Sequence, residues 1–288
     1  MIKKIKAKAI NTDFVIESYN SSADVVKDCK TRRITDSSFD DMQKKGRVEG
    51  DTKWYGVENY EQALQFLEEG YQPTVEKLKT RIKAKLQGNG KRISFHNDIV
   101  GYAPIVPLAI LGVPNSMINS RMKPIKAKVI DVYYNITASS ATSSDDIINA
   151  GVRLLSSVIE LEQQGYRFNI YAVQNYYSKY DKCYMLKVKV KDAMQPIDLK
   201  RISFPLTHTS FFRVVGFDWY SKCPEAKHIS VYGHSLDYDF NNEKMQATAK
   251  EIFGDNAVWF GCVNIMKKKE DYIKEVLLNA GSKKSNAQ

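Results

Sequence analysis

The chain has few of the residues that build metal and redox sites. Its 288 residues include four cysteines and four histidines. The cysteines stand far apart without a C-x-x-C pair, and the histidines show neither H-x-x-x-H nor H-E-x-x-H spacing. A zinc knuckle, a disulfide framework and a metalloprotease centre are therefore not indicated. No metal ion and no cofactor are expected.

Long apolar runs and enzyme motifs are also missing. No segment approaches the roughly 18 apolar residues of a membrane span, so no membrane partner is expected. The opening MIKKIKAKAI lacks the continuous apolar core of a signal peptide, which favours a cytoplasmic protein. The chain contains no G-x-S-x-G elbow, P-loop or G-x-G-x-x-G turn. An enzyme is consequently the least supported class of function.

Positive charge is in excess. The 43 Lys and Arg residues outnumber the 33 Asp and Glu residues, which gives a net charge of +10. A basic protein can bind a polyanion, although solubility alone also explains such a charge. Two segments combine lysines with a helical or strand pattern, and one adds tyrosines that could stack on bases. The candidate nucleic-acid contacts are Lys77, Lys79, Arg81, Lys83, Lys85, Lys187, Lys189, Lys191, Tyr177 and Tyr180.

The most regular part of the chain is a strand, loop, helix and strand over residues 126–173. The strand AKVIDVYYN leads into the polar loop ITASSATS, the amphipathic helix that follows has Ser144 as its expected N-cap, and RFNIYAV is a second apolar strand. This order predicts a βαβ unit, which places the loop at the carboxyl end of its first strand. Open α/β sheets bind ligands at that edge.

The flanking segments give a coarser pattern. Residues 1–16 suggest one strand with a charged face, and residues 87–125 suggest an irregular connection whose apolar run lies on a core. CYMLKVKVK at 183–191 alternates like a half-buried edge strand. Two helices with PLTHT between them, a buried strand KHISVYG, a helix, a last strand AVWFGCV and a terminal helix complete the chain.

The polar loop resembles a metal site that has lost its carboxylate. Asn135, Thr137 and Ser139 form an N-x-T-x-S pattern, similar to the D-x-S-x-S motif of von Willebrand factor A domains, and the order of elements from 126 to 281 is also similar. The resemblance implies that Thr207 and the region of His234 belong to the same loop set. Both family carboxylates are absent at the matching positions. Asp237 and Asp239 lie close enough to contribute but are shifted in register. Neutral oxygens alone bind magnesium weakly, so an empty loop is expected.

A second resemblance covers nearly the whole length. WYGVENYEQALQFLEEGY, DIVGYAPIVPLAILGVPNSM and EDYIKEVLLNAG are similar to blocks of an uncharacterised group of bacteriophage proteins. This resemblance implies a viral protein in the cytoplasm of an infected bacterium.

The expected organisation is an N-terminal α+β region at 1–119, a von Willebrand A-like (Rossmann-like) α/β domain at 120–281 with a mostly parallel sheet, and a disordered tail at 282–288.

Two functions are compatible with these observations. The first is a non-enzymatic binding or adaptor protein that holds a protein partner with the loops at the sheet edge, which would include Asn135, Thr137, Ser139, Thr207 and His234. The second is a largely sequence-independent nucleic-acid-binding protein in viral replication, transcription or packaging. The sequence does not identify the partner, the nucleic acid or the oligomeric state.

Overall fold

A computed structural model describes residues 2–32, 52–86, 94–121, 129–177, 182–223, 234–269 and 271–282. The strands in these ranges are β1 Ile2–Ala7, β2 Thr12–Tyr19, β3 Ser94–Asp98, β4 Ala103–Pro104, β5 Met117–Arg121, β6 Val129–Asn135, β7 Arg167–Tyr177, β8 Cys183–Lys191 and β9 Ala257–Gly261. The α-helices are α1 Ser22–Thr31, α2 Thr52–Tyr55, α3 Tyr60–Glu69, α4 Gln72–Leu86, α5 Val106–Ile110, α6 Ser144–Gln163, α7 Leu199–Thr207, α8 Phe217–Ser221, α9 Leu236–Asp239, α10 Asn242–Phe253, α11 Cys262–Lys267 and α12 Tyr272–Ser282. The expected strand at 227–233 and the tail at 283–288 lie outside the described residues.

Six strands form the main sheet, in the order β1-β2-β8-β7-β6-β9. The pairs β2–β8, β6–β7 and β6–β9 are parallel, whereas β1–β2 and β7–β8 are antiparallel. Helices pack on both faces: α6 lies in the larger core and α10 in the smaller one. The expected α/β class with a mostly parallel sheet is confirmed. Within the described ranges, no helix has the length and apolar character needed to cross a bilayer.

The N-terminal residues enter this sheet as a hairpin. The expectation of one strand over residues 1–16 is wrong, because a 3-10 turn at Lys8–Ile10 reverses the chain and ends at Asn11 with a φ of 49°. The returning strand β2 is apolar on both faces: Phe14 contacts the smaller core and Val15 the larger one. The N-terminal region therefore supplies part of the sheet itself.

Strand β8 is internal, so its expected place at the edge is wrong. It lies between β7 and β2, and the parallel register with β2 runs from Phe14 opposite Cys183 to Tyr19 opposite Val188. The alternation of lysines along β8 is typical of an exposed margin. The covering strand stands at the other end of the sequence, which is why the local pattern did not reveal it.

The connection from β6 to β7 is the long helix α6, as expected. Ile147, Leu154, Leu155, Val158 and Leu161 are at most 1% exposed and form its buried stripe. The helix begins one residue early relative to the expected cap: the Oγ atom of Ser143, not that of Ser144, accepts a hydrogen bond from the Asp146 amide at 3.1 Å. The other edge of β6 pairs directly with β9, so β6 lies between β7 and β9 in the sheet.

Helix α7 includes part of the segment that was expected to be a connection. It runs through Pro205 to Thr207 and is followed by a π-helical segment, Phe211–Gly216, that continues into α8. The α7 backbone packs closely on α6 at Gly151, where a Cβ atom would lie 2.0 Å from the carbonyl oxygen of Leu206. Only glycine permits this approach of the two helices.

Residues 94–121 form a small sheet of their own, with β5 between β3 and β4. The expectation of an irregular segment resting on a core is wrong for this part. The chain crosses from β3 to β4 through Gly101, where a Cβ atom would lie 2.1 Å from the Ile118 carbonyl oxygen. Several large apolar side chains of this segment are solvent-exposed: Ile110 is 80% accessible and Leu111 is 75% accessible.

Candidate functional site

The carboxyl ends of three parallel strands meet at one edge of the sheet. Asn135 is the last residue of β6, and it pairs with Val173 of β7 and Gly261 of β9. The N-x-T-x-S loop begins here, as the sequence predicted. The Oδ1 atom of Asn135 accepts a hydrogen bond from the Thr137 amide at 3.2 Å, and the Oγ1 atom of Thr137 accepts one from the Asn175 amide at 2.9 Å. Both side chains are fully buried and satisfy backbone groups.

A carboxylate reaches this loop from Asp237, one of the two acidic positions that the sequence placed close to it but shifted in register. The Nδ2 atom of Asn135 donates hydrogen bonds to Oδ2 of Asp237 at 2.6 Å and to the Oγ atom of Ser235 at 2.8 Å. Asp237 lies in α9 and is 7% exposed. Its position in the sequence is shifted from the family pattern, but the backbone after Ser235 turns into a short helix that directs the side chain toward β6.

Four donors occupy both oxygens of the Asp237 carboxylate. Besides Asn135, the Ser235 hydroxyl donates to Oδ2 at 3.2 Å. The Oδ1 atom accepts from the Trp259 indole at 2.8 Å and from the Asn264 amide at 3.1 Å. An ionised carboxylate has about four lone-pair sites, so these donors saturate it. We call Asn135, Ser235, Asp237, Trp259 and Asn264 the polar network.

Strand β9 and helix α11 are shaped around this carboxylate. A Cβ atom on Gly261 would lie 2.3 Å from the Asp237 carboxyl group, so the end of β9 must be glycine for the carboxylate to approach. The expected last strand AVWFGCV ends at this glycine, and Cys262 begins α11 instead. That early helix start brings Asn264 into the polar network.

Burial governs the electrostatics of the polar network. It raises the pKa of the Asp237 carboxyl above its usual range, while hydrogen bonds from Asn135, Trp259 and Ser235 act in the opposite direction. Burial likewise raises the pKa of the neighbouring Cys262 thiol, with the charge of Asp237 adding to the effect. A thiol with a raised pKa is a poor nucleophile. Cys262 is therefore better described as a packed residue whose Sγ atom lies 3.4 Å from the Ile136 carbonyl oxygen.

The chemistry of the polar network does not fit the metal ion that the von Willebrand A resemblance implies. A cation needs oxygen atoms directed toward it, whereas the Asn135 amide places an N–H donor against the carboxylate. The amide thereby takes the role that a cation would have. Among the described residues, no three His, Cys, Asp or Glu side chains are grouped to hold an ion.

Above the polar network lies the loop of residues 136–143, which we call the edge loop. Residues 136–138 are buried, and the outer part, residues 139–143, reaches the surface. Its backbone is braced on two sides: the Ser139 amide donates to the Tyr238 hydroxyl at 2.9 Å, and the Trp54 indole donates to the Ser140 carbonyl at 3.1 Å. Arg213 donates from its guanidinium to the Thr142 carbonyl at 2.7 Å. The edge loop is held in place while Ser140 and Ala141 face solvent.

His234 lies near the edge loop, as the resemblance implied. Its Nε2 atom pairs with Asp239, and its ring centroid is 5.8 Å from that of Tyr238. Tyr238 is 39% exposed. His234, Tyr238 and the edge loop together form a polar and aromatic surface at the carboxyl ends of the strands.

Thr207 is not part of this surface, so that assignment is wrong. It is buried in the last turn of α7, where its hydroxyl donates to the Ser203 carbonyl at 2.7 Å. Its methyl group lies against Gly151 in the middle of α6. The error follows from the expectation that residues 205–209 form a loop.

Comparison with known protein families gives a match over almost the whole chain. A family model for a domain of unknown function, DUF7192, matches residues 5–281. The chain belongs to the DUF7192 family. The match crosses residue 119, so the N-terminal hairpin from residue 5 onward, the small sheet and the polar network all lie inside the DUF7192 region. No curated protein and no solved structure matches the chain.

The predicted basic contacts of the DUF7192 chain have unequal positions. On α4, Lys77 and Lys79 are exposed. The side chains of Arg81, Lys83 and Lys85 lie outside the described residues. On β8, each lysine has a local interaction: Lys187 lies over the rings of Tyr171 and Phe253, Lys189 pairs with Asp192, and Lys191 pairs with Glu162 at 2.6 Å.

Two of these β8 lysines do not behave as the predicted phosphate contacts. Lys191 is only 4% exposed, and Lys187 is half-buried with its Nζ atom over the rings of Tyr171 and Phe253. Tyr177 is 7% exposed, which leaves its ring little surface for stacking on a base, and Tyr180 lies outside the described residues. The prediction depended on β8 being a free edge, and that placement is wrong.

Proposed function

We propose that this DUF7192 chain is a non-enzymatic binding protein that holds a macromolecular partner with a von Willebrand A-like sheet edge lacking a metal site. The proposed contact surface comprises the edge loop with Tyr238 and His234. The resemblance to bacteriophage proteins further suggests an adaptor that acts in the cytoplasm of an infected bacterium, with a protein as its partner.

The saturation of Asp237 supports this proposal most directly. Its two oxygens accept four hydrogen bonds from side chains of the same chain. The carboxylate thus stabilises the strand ends instead of presenting a charge to a ligand. The outer part of the edge loop, residues 139–143, reaches the surface, and its backbone is braced by Tyr238 and Trp54. A preorganised loop loses little entropy on binding, which suits recognition of a partner.

The test is capture of partners from infected bacteria by the tagged chain, with and without nuclease. Ser140→Arg and Ala141→Arg each place a large charge on the edge loop, and Gln164→Arg adds the same charge at the far end of α6 as a control. We expect the wild type and the control to retain a protein that resists nuclease and that both loop variants lose. Equal capture by the loop variants would exclude the edge loop as the contact surface.

Nucleic-acid binding is the second candidate, favoured by the net charge of +10 and by the exposed Lys77 and Lys79 on α4. Such binding should fall steeply with salt, because neutralised phosphates release counterions. We expect Lys77→Glu with Lys79→Glu to weaken binding on every sequence alike. Lys244→Glu with Lys250→Glu, an equal charge change on exposed positions of α10, should have a smaller effect. No detectable binding at about 50 mM salt, where phosphate contacts are strongest, would eliminate this candidate.

A further inference from the structure

The small sheet at residues 94–121 presents most of the exposed apolar side chains of the described structure. Seven of the eleven large apolar residues that are markedly exposed lie between Ile99 and Val113. They are Ile99, Val100, Tyr102, Val106, Ile110, Leu111 and Val113, with exposed fractions from 38% to 80%. A monomeric protein rarely exposes so many neighbouring apolar side chains unless they contact something.

This apolar surface contains no charge. No Asp, Glu, Lys, Arg or His stands between Asp98 and Arg121. The register of the small sheet shows where the surface lies: Ser94 pairs with Arg121 at one end, and Asp98 pairs with Met117 at the other. Helix α5 and Leu111 connect β4 to β5 at the Met117 end. We call α5 with residues 99–102 and 111–113 the apolar tip.

The positive charge of the protein is concentrated on the segment that carries the apolar tip. From residue 77 to residue 130 the sequence has eleven Lys or Arg residues and one acidic residue, Asp98. The rest of the chain then holds 32 basic and 32 acidic residues, so the entire net charge of +10 belongs to this segment. Its cationic residues stand on both sides of the uncharged stretch in the sequence.

An uncharged apolar tip with cationic flanks is complementary to an anionic lipid surface. Aliphatic and tyrosine side chains enter the boundary between headgroups and acyl chains, to a depth of roughly 5–10 Å, while Lys and Arg attract the anionic headgroups. A nucleic acid would use the charge but would not bury Val106, Ile110 and Leu111.

We propose that the apolar tip docks on the surface of a membrane that contains anionic lipids. The contact is interfacial, so it differs from the spanning segment whose absence led to the expectation of no membrane partner. Val106, Ile110 and Leu111 enter the interface, and the positive charge that flanks the apolar tip in the sequence attracts the anionic headgroups over about a Debye length, roughly 8 Å at physiological salt.

The experiment is flotation of the full chain with vesicles of phosphatidylcholine containing phosphatidylglycerol, compared with pure phosphatidylcholine. We expect binding to the anionic vesicles that weakens with salt. Ile110→Asp with Leu111→Asp should reduce that binding about tenfold or more, because each buried aliphatic side chain contributes substantially to transfer. Met194→Asp, a change at an apolar residue that is 88% exposed elsewhere on the surface, should leave binding unchanged.

Three results would overturn the proposal. The first is no binding to anionic vesicles at low salt. The second is vesicle binding that salt abolishes but the Ile110→Asp, Leu111→Asp variant retains, which would show a charge contact without insertion. The third is a concentration-dependent dimer, detected by light scattering without vesicles, that the same variant abolishes; it would identify a second copy of the chain as the occupant of the apolar tip.

Discussion

At the residue scale, the contact between Asn135 and Asp237 distinguishes this sheet edge from a metal site. The Nδ2 donor of Asn135 lies 2.6 Å from the buried carboxylate of Asp237. The carboxylate therefore needs no cation as its partner. The substitution Asn135→Asp tests this arrangement, because it places a second carboxylate where the amide donor stands. Two carboxylates at that distance cannot both ionise without repulsion.

We therefore expect magnesium and manganese to leave the melting temperature of the wild type unchanged, since a ligand stabilises a protein only by binding its folded state. Asn135→Asp should lower stability by about 3 kcal/mol at neutral pH, and magnesium should restore part of that loss. Asn135→Ala should also be destabilised but should not respond to magnesium. Thermal unfolding with and without the ion measures all three, and a clear shift in the wild type would refute the metal-free arrangement.

His208 gives a pH-dependent prediction at the same scale. Burial lowers the pKa of its imidazole to about 4, and its Nδ1 atom accepts a hydrogen bond from the Ser210 amide at 3.2 Å. The unfolded chain, with a pKa near 6.5, binds more protons than the folded chain between these values. The stability that the neutral, buried His208 contributes is thus fully present above about pH 6.5 and falls as the pH drops toward 4.

The wild type should lose about 2 kcal/mol through this group between pH 7 and pH 5. His208→Asn can still accept the Ser210 amide but does not titrate in this range, so its loss over the same interval should be smaller by that amount. Urea unfolding at the two pH values measures the difference.

At the element scale, α6 is both the main brace of the sheet and a support for α11. Leu155 is fully buried, so its truncation should leave a cavity. Arg153 is half-buried on another side of α6. Its guanidinium donates to the carbonyl oxygens of Ile265, Lys268 and Lys269 at 2.7–2.8 Å and so caps the carboxyl end of α11.

Leu155→Ala should cost roughly 2–5 kcal/mol of unfolding free energy through lost burial and a residual cavity. Arg153→Ala should cost about 1–3 kcal/mol, because several carbonyl groups lose a charged donor. Arg153→Lys keeps the charge but cannot span three carbonyls, so it should recover only part of the loss. Chemical denaturation of the three variants provides the measurement. A neutral Arg153→Ala would show that solvent replaces the cap at no cost.

Local patterns were sufficient for the elements around the edge loop. The period of α6 and the apolar strand β6 placed Asn135 and Thr137 correctly, because both signals come from neighbouring residues. Asp237 was recognised as close to the loop, but its hydrogen bond with Asn135 was not predicted, since it depends on the turn of α9 far along the chain. Thr207 was misplaced because residues 205–209 were expected to connect two helices, whereas α7 continues through Pro205 to Thr207.

At the scale of the whole molecule, the division at residue 119 does not coincide with a division of the core. The larger core joins Val25, Leu64 and Leu78 from the N-terminal region with Leu154 and Phe204 from the C-terminal region. Strand β8 is also paired by β2 across that boundary. The fold class could be predicted because the βαβ pattern is local. The strand order could not, since pairing between distant strands leaves no periodic signal.

A fragment of residues 120–281 should accordingly fail to fold cooperatively. It would expose the edge of β8 and the apolar surfaces that α3 and α4 cover, and such edges aggregate. Near-ultraviolet circular dichroism and urea unfolding of the fragment, compared with the full chain, measure this. Truncation of residues 283–288 is the control and should leave the unfolding transition unchanged. A fragment with a sharp, reversible transition would restore the two-domain description.

The pairing of β2 with β8 also determines when the N-terminal hairpin can complete its contacts while the chain is being synthesised. Phe14 leaves the ribosome long before Cys183, the residue it faces in the finished sheet. The N-terminal hairpin must wait, with its two apolar faces uncovered, until most of the chain has been made. Sheets closed by such distant contacts form slowly. The first residues translated are thus among the last to form their native contacts. A chaperone that shields Phe14 to Ile16 during that interval would raise the yield of folded protein.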